Sequence, residues 1–384
     1  MNASLAGVLR AGGQSPLVGR IYGSHRGVLG LLRDEIFDLT EQAPSIEALR
    51  TTPAALLGSA RHRLSDYELE IVLDRLRRLD VRYLHLIGGN DSADTGHRLA
   101  SAAAAAGQEL FVVTIPKTVD NDLPETDHTP GFGSAARFIA QMTMDTGRDT
   151  ESISSVDPVK ILEVGGRDAG WLAAAAALAR RDEHDAPHLL YTPETPFSIN
   201  GFLDDVQRSY DRRGRAVIAI SEALRDAHGN YVMANESSLY TDSFGHKQLG
   251  GAASVLCETI ASRLKLKAKF DKPGTIQRML TSCHSITDLD EAERAGAHAV
   301  SLATKGITGA MVTLIRESNS PYRCGMGHAP LERIANRVRT LPLDFLAPNA
   351  EGITDAYRAY AEPLIGGALP AYPRLAQRFV SIPA

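Results

Sequence analysis

The chain has 384 residues, 43% of them hydrophobic, and a formal charge of −5. That suffices for two domains or one elaborate one and gives no support to a nucleic-acid-coating role, so any phosphate-binding cations must be gathered locally. No apolar run is long enough to cross a bilayer, the first residues lack a signal peptide's charged start, and Cys257, Cys283 and Cys324 have no metal spacing, which predicts a soluble cytoplasmic protein with reduced thiols and no membrane partner.

Met1 to Leu9 reads as a helix with no strand before it. Arg20 to Gly23 reads as a strand and turn, Gly27 to Leu32 is apolar with glycines, and Ile36 to Leu39 is a short strand. Ser65 followed by Glu68 predicts a capping box that opens a helix to about Leu79. Leu84 to Ile87 is an apolar run ending in Gly88-Gly89-Asn90-Asp91-Ser92; an Ala-rich helix follows, and Leu110 to Pro116 ends in Lys117-Thr118-Val119-Asp120-Asn121-Asp122. Two short apolar runs around one helix are the pattern of a parallel strand–helix–strand unit. Ligands in open α/β sheets lie at the carboxyl ends of strands, so both polar clusters should face one crevice. Gly88 and Gly89 let a backbone approach a ligand, and the helix after Ser92 offers free N–H groups to an anion. With a lysine and two aspartates opposite, this is equipment for moving a phosphoryl group. A Gly-Gly alone also describes a tight turn, and a lone Asp-x-Asp a solvated loop; the combination carries the reading.

The loop Thr126 to Gly133 leads into a helix through Ala140 and Met144. Val159 to Val164 is a strand ending in Gly165-Gly166-Arg167, and Trp171, expected as a packed aromatic, begins an Ala-rich helix. Leu189 to Thr192 is a strand reaching Pro193-Glu194; Asp204 to Arg213 is helical; Ala216 to Ile220 is a strand followed by Ser221-Glu222. Asp226 to Leu249 reads as a long loop or insertion, and Ala252 to Leu264 as a helix. Ala297 to Leu302 and Ala310 to Ile315 continue the alternation, while runs such as Arg75 to Arg78 read as solvated faces.

Gly-Gly-Asn-Asp-Ser at 88–92 with Pro-Lys-Thr-Val-Asp-Asn-Asp at 116–122 resembles the phosphofructokinase superfamily, specifically its pyrophosphate-dependent branch. The likeness continues through Gly58-Ser59-Ala60-Arg61, Glu163 to Trp171, Pro193-Glu194, Pro273 to Arg278 and the segments Pro330 to Asn336 and Tyr357 to Ile365, in the family's order. The resemblance implies an α/β fold of two Rossmann-like three-layer domains with mainly parallel sheets and the active site in the cleft between them. Residues 1–145 plus roughly 277–325 would form the phosphoryl-donor domain, and 146–276 plus roughly 326–384 the fructose-6-phosphate domain. In the family a first strand and a Gly-Gly loop precede the helix that here opens at Asn2. A start upstream of Met1 is therefore expected; without that strand its neighbours would keep unpaired backbone groups, each costing about 1–3 kcal/mol if buried. A homodimer or tetramer is also implied, because neighbouring subunits complete the family's sugar site.

The activity implied is reversible transfer from pyrophosphate to the 1-hydroxyl of fructose 6-phosphate with Mg²⁺. By the same resemblance Asp120 is the base, while Arg61 and Lys117 balance charge on the transferring group. Thr118, Asp122, Gly165, Gly166, Arg167, Glu194, Lys269 and Arg278 bind substrate; Gly88, Gly89 and Ser92 cradle the donor; Asn90 and Asp122 hold the metal. Three positions depart from the family pattern: Gly165 stands where methionine is usual, Asn90 where aspartate is frequent, and Thr275 where tyrosine or histidine is commoner. ATP-using relatives carry glycine at the places of Asp91 and Lys117. A carboxylate at Asp91 would meet the nucleotide's α-phosphate, and two like charges at about 4 Å and an effective dielectric near 20 cost roughly 4 kcal/mol, or about a thousandfold. An ATP-dependent or mixed-donor kinase and a non-catalytic subunit remain the alternatives.

Overall fold

A computed structural model describes residues 1–40, 46–232, 251–376 and 378–381. Of the long loop expected at 226–249, residues 233–249 lie outside the described residues. The chain opens with α1 (Asn2–Gln14), a two-stranded antiparallel pair β1 (Tyr22–Ser24) and β2 (Ile36–Asp38) flanking α2 (Val28–Arg33), then α3 (Ile46–Thr51) and α4 (Asp66–Arg78). The capping box forms as the spacing predicts: the Ser65 hydroxyl accepts from the Glu68 N–H, and the Glu68 carboxylate accepts from the Ser65 N–H.

Next come β3 (Tyr83–Gly88), α5 (Asn90–Ala105) and β4 (Phe111–Pro116), with β3 and β4 parallel. Then follow α6 (Phe132–Ser152), β5 (Val159–Val164), α7 (Trp171–Ala175), β6 (Leu189–Tyr191), α8 (Ile199–Arg213), β7 (Ala216–Ser221), α9 (Ala252–Leu264) and β8 (Ala268–Asp271). Last are α10 (Ile286–Thr304), the hairpin β9 (Ala310–Asn319) and β10 (Tyr322–Pro330), and α11 (Asp355–Ala361).

Two four-stranded sheets result. One has the order β10-β9-β4-β3, with only the β9–β10 pairing antiparallel; the other has the order β6-β7-β5-β8 and is parallel throughout. The first sheet extends to Pro330, past the boundary near 325 expected from the sequence. Alternation along each central strand makes three layers. In β4, Val112 packs with the α4–α5 cluster, whereas Val113 and Ile115 pack with Ala295 and Ala299 of α10. In β5, Val159 and Ile161 join the α8–α9 cluster, and Val164 joins that of α6–α7. These strands are buried on both faces, which is why they read as continuous apolar runs.

Between the sheets lies an aromatic core. Trp171 sits 5.3 Å from Tyr360, 6.0 Å from Phe345 and 6.5 Å from Phe132 between ring centroids, so it packs as expected and ties α6, α7 and α11 together. Such pairs contribute about 0.5–1.5 kcal/mol each beyond their area. Among the described residues β3 has a partner on one side only; its other edge borders the cavity described below.

Candidate active site

Both sheets present their carboxyl ends to one cleft. Gly88 lies level with Pro116, and the Lys117 N–H donates to the Gly88 carbonyl at 2.9 Å. Val164 lies level with Ser221, and the Glu222 N–H donates to the Val164 carbonyl at 2.9 Å. A cavity of about 2190 Å³ lies against both ends and runs on along the edge of β3. It is lined by Arg61, Gly88, Gly89, Asn90, Asp91, Ser92, Lys117, Thr118, Asp120, Asp122, Gly165, Gly166, Arg167 and Arg278. The first turn of α5 supplies Asn90 and Asp91. A Cβ on Gly88 would stand 1.9 Å from the Ser92 hydroxyl, so this turn into the helix requires glycine.

Charge is concentrated around Asp120. Burial raises its pKa, and the charges of Arg167, Lys117 and Arg278 oppose that rise. Burial lowers the pKa of Lys117, Asp120 raises it, and Arg278, Arg61 and Arg167 push it down further. Three cations thus surround one carboxylate, with Arg61 beside Lys117, an arrangement suited to an anionic ligand. The Thr118 hydroxyl accepts the Asp120 N–H at 3.1 Å, which turns the loop so that both carboxylates reach the cleft. The pKa of Asp122 is pushed up to about 7, by burial first and then by the neighbouring charge of Asp120. Asn90 Oδ1 is buried with no protein partner. An orphaned amide oxygen and a carboxylate held above its ordinary range fit a hard divalent cation, which takes oxygen ligands.

Two predicted residues are not brought to the cleft. Lys269 pairs with Lys160 in the β5–β8 register, at the amino end of the strands, and its ammonium bonds Asp157 at 2.6 Å. Glu194 accepts the Gly170 and Leu341 N–H groups on one carboxylate oxygen, at 2.8 and 2.9 Å, and is absent from the cavity wall. Lys272, three residues along at the carboxyl end of β8, lines the cavity and pairs with the buried Glu163 at 2.7 Å. The β5–β8 register, which puts Lys269 at the amino end and Lys272 just past the carboxyl end, exists only in the fold, since β8 was not read as a strand.

The sequence reading also missed Glu222 and Gln277. Glu222 directly follows β7, lines the cavity, accepts the Arg167 N–H at 3.3 Å, and has its pKa raised by burial. Its place at the end of a parallel strand was the available signal. Gln277 accepts the Gly165 N–H at 3.2 Å, and its amide occupies the space where a side chain at position 165 would begin.

The loop bearing the two aspartates is braced from behind. Thr129 donates its hydroxyl to the Thr118 carbonyl at 2.9 Å, and Asn121 accepts the Thr129 N–H at 3.0 Å. Both imidazole nitrogens of His128 meet carboxylates, Asp127 at 2.7 Å and Glu291 at 2.6 Å, and Arg316 forks onto Asp127. Among the described residues His128, Glu291 and Cys324 are the one grouping of metal-ligating side chains, but an imidazole with a carboxylate on each nitrogen is held as an imidazolium.

Comparison with known proteins agrees with this geometry. The family model described as phosphofructokinase matches residues 1–303. The chain is 38% identical over 375 residues to the pyrophosphate–fructose 6-phosphate 1-phosphotransferase of Halomonas elongata, covering 96% of this chain and 89% of that protein. It is also 38% identical, over 377 residues, to the protein of the same name from Xanthomonas campestris pv. campestris, with the same 96% and 89% coverage. The crystal structure of pyrophosphate-dependent phosphofructokinase from Marinobacter aquaeolei superposes with a TM-score of 0.86 at 33% identity, over 98% of this chain and 90% of that one. A double α/β scaffold, a cation-ringed aspartate at its cleft and relatives of this kind along nearly its whole length make the chain a member of the phosphofructokinase family.

Proposed function

We infer that the chain reversibly transfers a phosphoryl group from pyrophosphate to the 1-hydroxyl of fructose 6-phosphate, giving fructose 1,6-bisphosphate and inorganic phosphate. The carrying observation is Asp120 ringed by Lys117, Arg167 and Arg278, with Arg61 beside Lys117 and Asp91 in the same wall at the head of α5. In the forward direction a bond forms between the sugar's O1 and phosphorus while the bridging P–O bond of pyrophosphate breaks. Asp120 takes the hydroxyl proton; its raised pKa makes it a stronger base than a free aspartate. Lys117 and Arg61 oppose charge on the transferring group, which in a loose transition state is spread over the equatorial oxygens. Thr118, Gly165, Gly166, Arg167 and Arg278 serve the sugar phosphate, and Glu222 and Lys272 join them. Gly88, Gly89 and Ser92 serve the donor.

A divalent cation belongs to this chemistry, and we take it to be Mg²⁺, held by Asn90 and Asp122. When bound, it neutralises donor oxygens and lowers the proton affinity of Asp122. The domain division follows the two sheets, with the donor half around β3, β4, β9 and β10 and the sugar half around β5 to β8. Among the described residues no helix is long and apolar enough to cross a membrane. A cytoplasmic homodimer or tetramer completes the reading.

The test is a coupled assay with each donor on the wild type and on Asp91→Gly with Lys117→Gly. Wild-type turnover with pyrophosphate and none with ATP is expected. The double variant should lose pyrophosphate turnover and gain measurable ATP use. Unchanged pyrophosphate turnover without ATP activity in that variant would refute the donor assignment.

A further inference from the structure

The segment after the turn Leu331–Arg333 passes behind the site, and its Arg339 is tied to both halves of it. The guanidinium donates to the carbonyls of Thr126 at 2.8 Å, Asp127 at 2.6 Å and Asn121 at 2.8 Å. The Arg339 backbone N–H donates to the Asp122 carbonyl at 2.7 Å. One residue therefore grips four carbonyls of the loop that carries Asp120 and Asp122. The same guanidinium lies 4.5 Å from the centre of the Trp171 ring, and the indole N–H donates back to the Arg339 carbonyl at 3.2 Å. Trp171 opens α7 directly after the Gly165 to Gly170 turn. Two residues beyond Arg339, the Leu341 N–H shares Glu194 with the Gly170 N–H. That is the role the structure gives Glu194.

We propose that Arg339 is a positioning residue, a clasp that fixes the Asp120–Asp122 loop against the Arg167 loop so that base and sugar phosphate stay in line. The proposal rests on the phosphotransfer reading above. Arg339 lies outside the cavity wall, so it acts through the backbone it holds rather than on substrate. Arginine suits the place because its planar fork reaches several carbonyls at once while its face stacks on the indole; a lysine keeps the charge and loses the fork. Misplacing a reacting group by about 1 Å costs about a hundredfold in rate, so a clasp of this kind should act on turnover more than on binding.

Wild-type turnover with pyrophosphate, measured first, tests the functional reading alone. Arg339→Lys is then compared with the wild type on whichever donor supports turnover. We expect kcat to fall by about tenfold to a hundredfold while KM for both substrates stays within about threefold. Far-UV circular dichroism should be unchanged. Trp171 is the chain's one tryptophan, so its emission reads the clasp without substrate and should shift in Arg339→Lys. Arg339→Ala should regain part of its kcat when methylguanidinium is added. A folded Arg339→Lys with wild-type kcat and emission overturns the proposal. So does a loss of activity that tracks only the loss of folded protein, or a failure of methylguanidinium to rescue folded Arg339→Ala.

Discussion

Gln277 shows how a small residue at the end of β5 is accommodated. Gly165 stands where the family pattern usually has methionine, and a glutamine from a different part of the chain fills the space and accepts the Gly165 N–H. Truncating it in Gln277→Ala removes one hydrogen bond, a loss of about 0.5–1.5 kcal/mol, and loosens the turn that carries Arg167. KM for fructose 6-phosphate should rise roughly threefold to tenfold, with kcat changed much less; steady-state kinetics checks it. The compensation could not be read from the chain, because positions 165 and 277 meet only once β5 and the Gly274–Arg278 turn are set side by side. The aspartates, Lys117, Arg61, Arg167 and Arg278 were legible, since each follows a strand or sits in a contiguous motif. Lys269 and Glu194 lie away from the cavity for one reason: proximity in sequence says nothing about which end of a strand, or which side of a loop, a side chain takes.

Among elements, α10 and the β9–β10 hairpin brace the loop that ends in His128. Facing His128 are Asp127 from its own loop, with Arg316 of β9 behind it, Glu291 of α10, and Tyr322 and Cys324 of β10. Burial alone would lower the histidine's pKa, but the two carboxylates outweigh it and raise the value above 6.5; Asp127 and Glu291 are held below 3.8 and 4.5, because burial is outweighed by His128 and Arg316 at the first and by His128, Tyr322 and Cys324 at the second. The histidine's contribution is therefore complete below pH 6.5 and is lost as pH rises through its folded value. The carboxylates contribute above pH 4.5 and lose that as pH falls. His128→Asn should destabilise by about 3–5 kcal/mol at pH 6, and the gap to wild type should close as pH is raised. Urea unfolding of both proteins across pH 5 to 9 measures it; a gap independent of pH would contradict the ion triad. The central strands β4, β5, β7 and β9 were visible in the sequence because strands buried on both faces leave unbroken apolar runs, whereas the more exposed β8 and β10 were not read. This triad was not visible either, because its members span residues 127 to 291.

At the scale of the molecule, the supports of the Asp120–Asp122 loop come in large part from farther along the chain than the residues proposed to touch ligand. The proposed site residues run from Arg61 to Arg278, and the family model ends at residue 303. Arg316, Tyr322, Arg339 and Tyr360 all lie beyond it. Tyr360 takes the Asn121 amide at 2.8 Å and gives its own proton to the Asp127 carbonyl at 2.9 Å. Tyr360→Phe should lower stability by about 1 kcal/mol and slow turnover severalfold, with KM for both substrates nearly unchanged; melting curves and kinetics on one preparation decide it.

Evolution can consequently retune this enzyme's speed without touching anything a substrate feels. Two homologues with identical pockets that differ elsewhere in the final eighty residues need not turn over alike, and a search for activity-modifying changes should begin in that trailing segment.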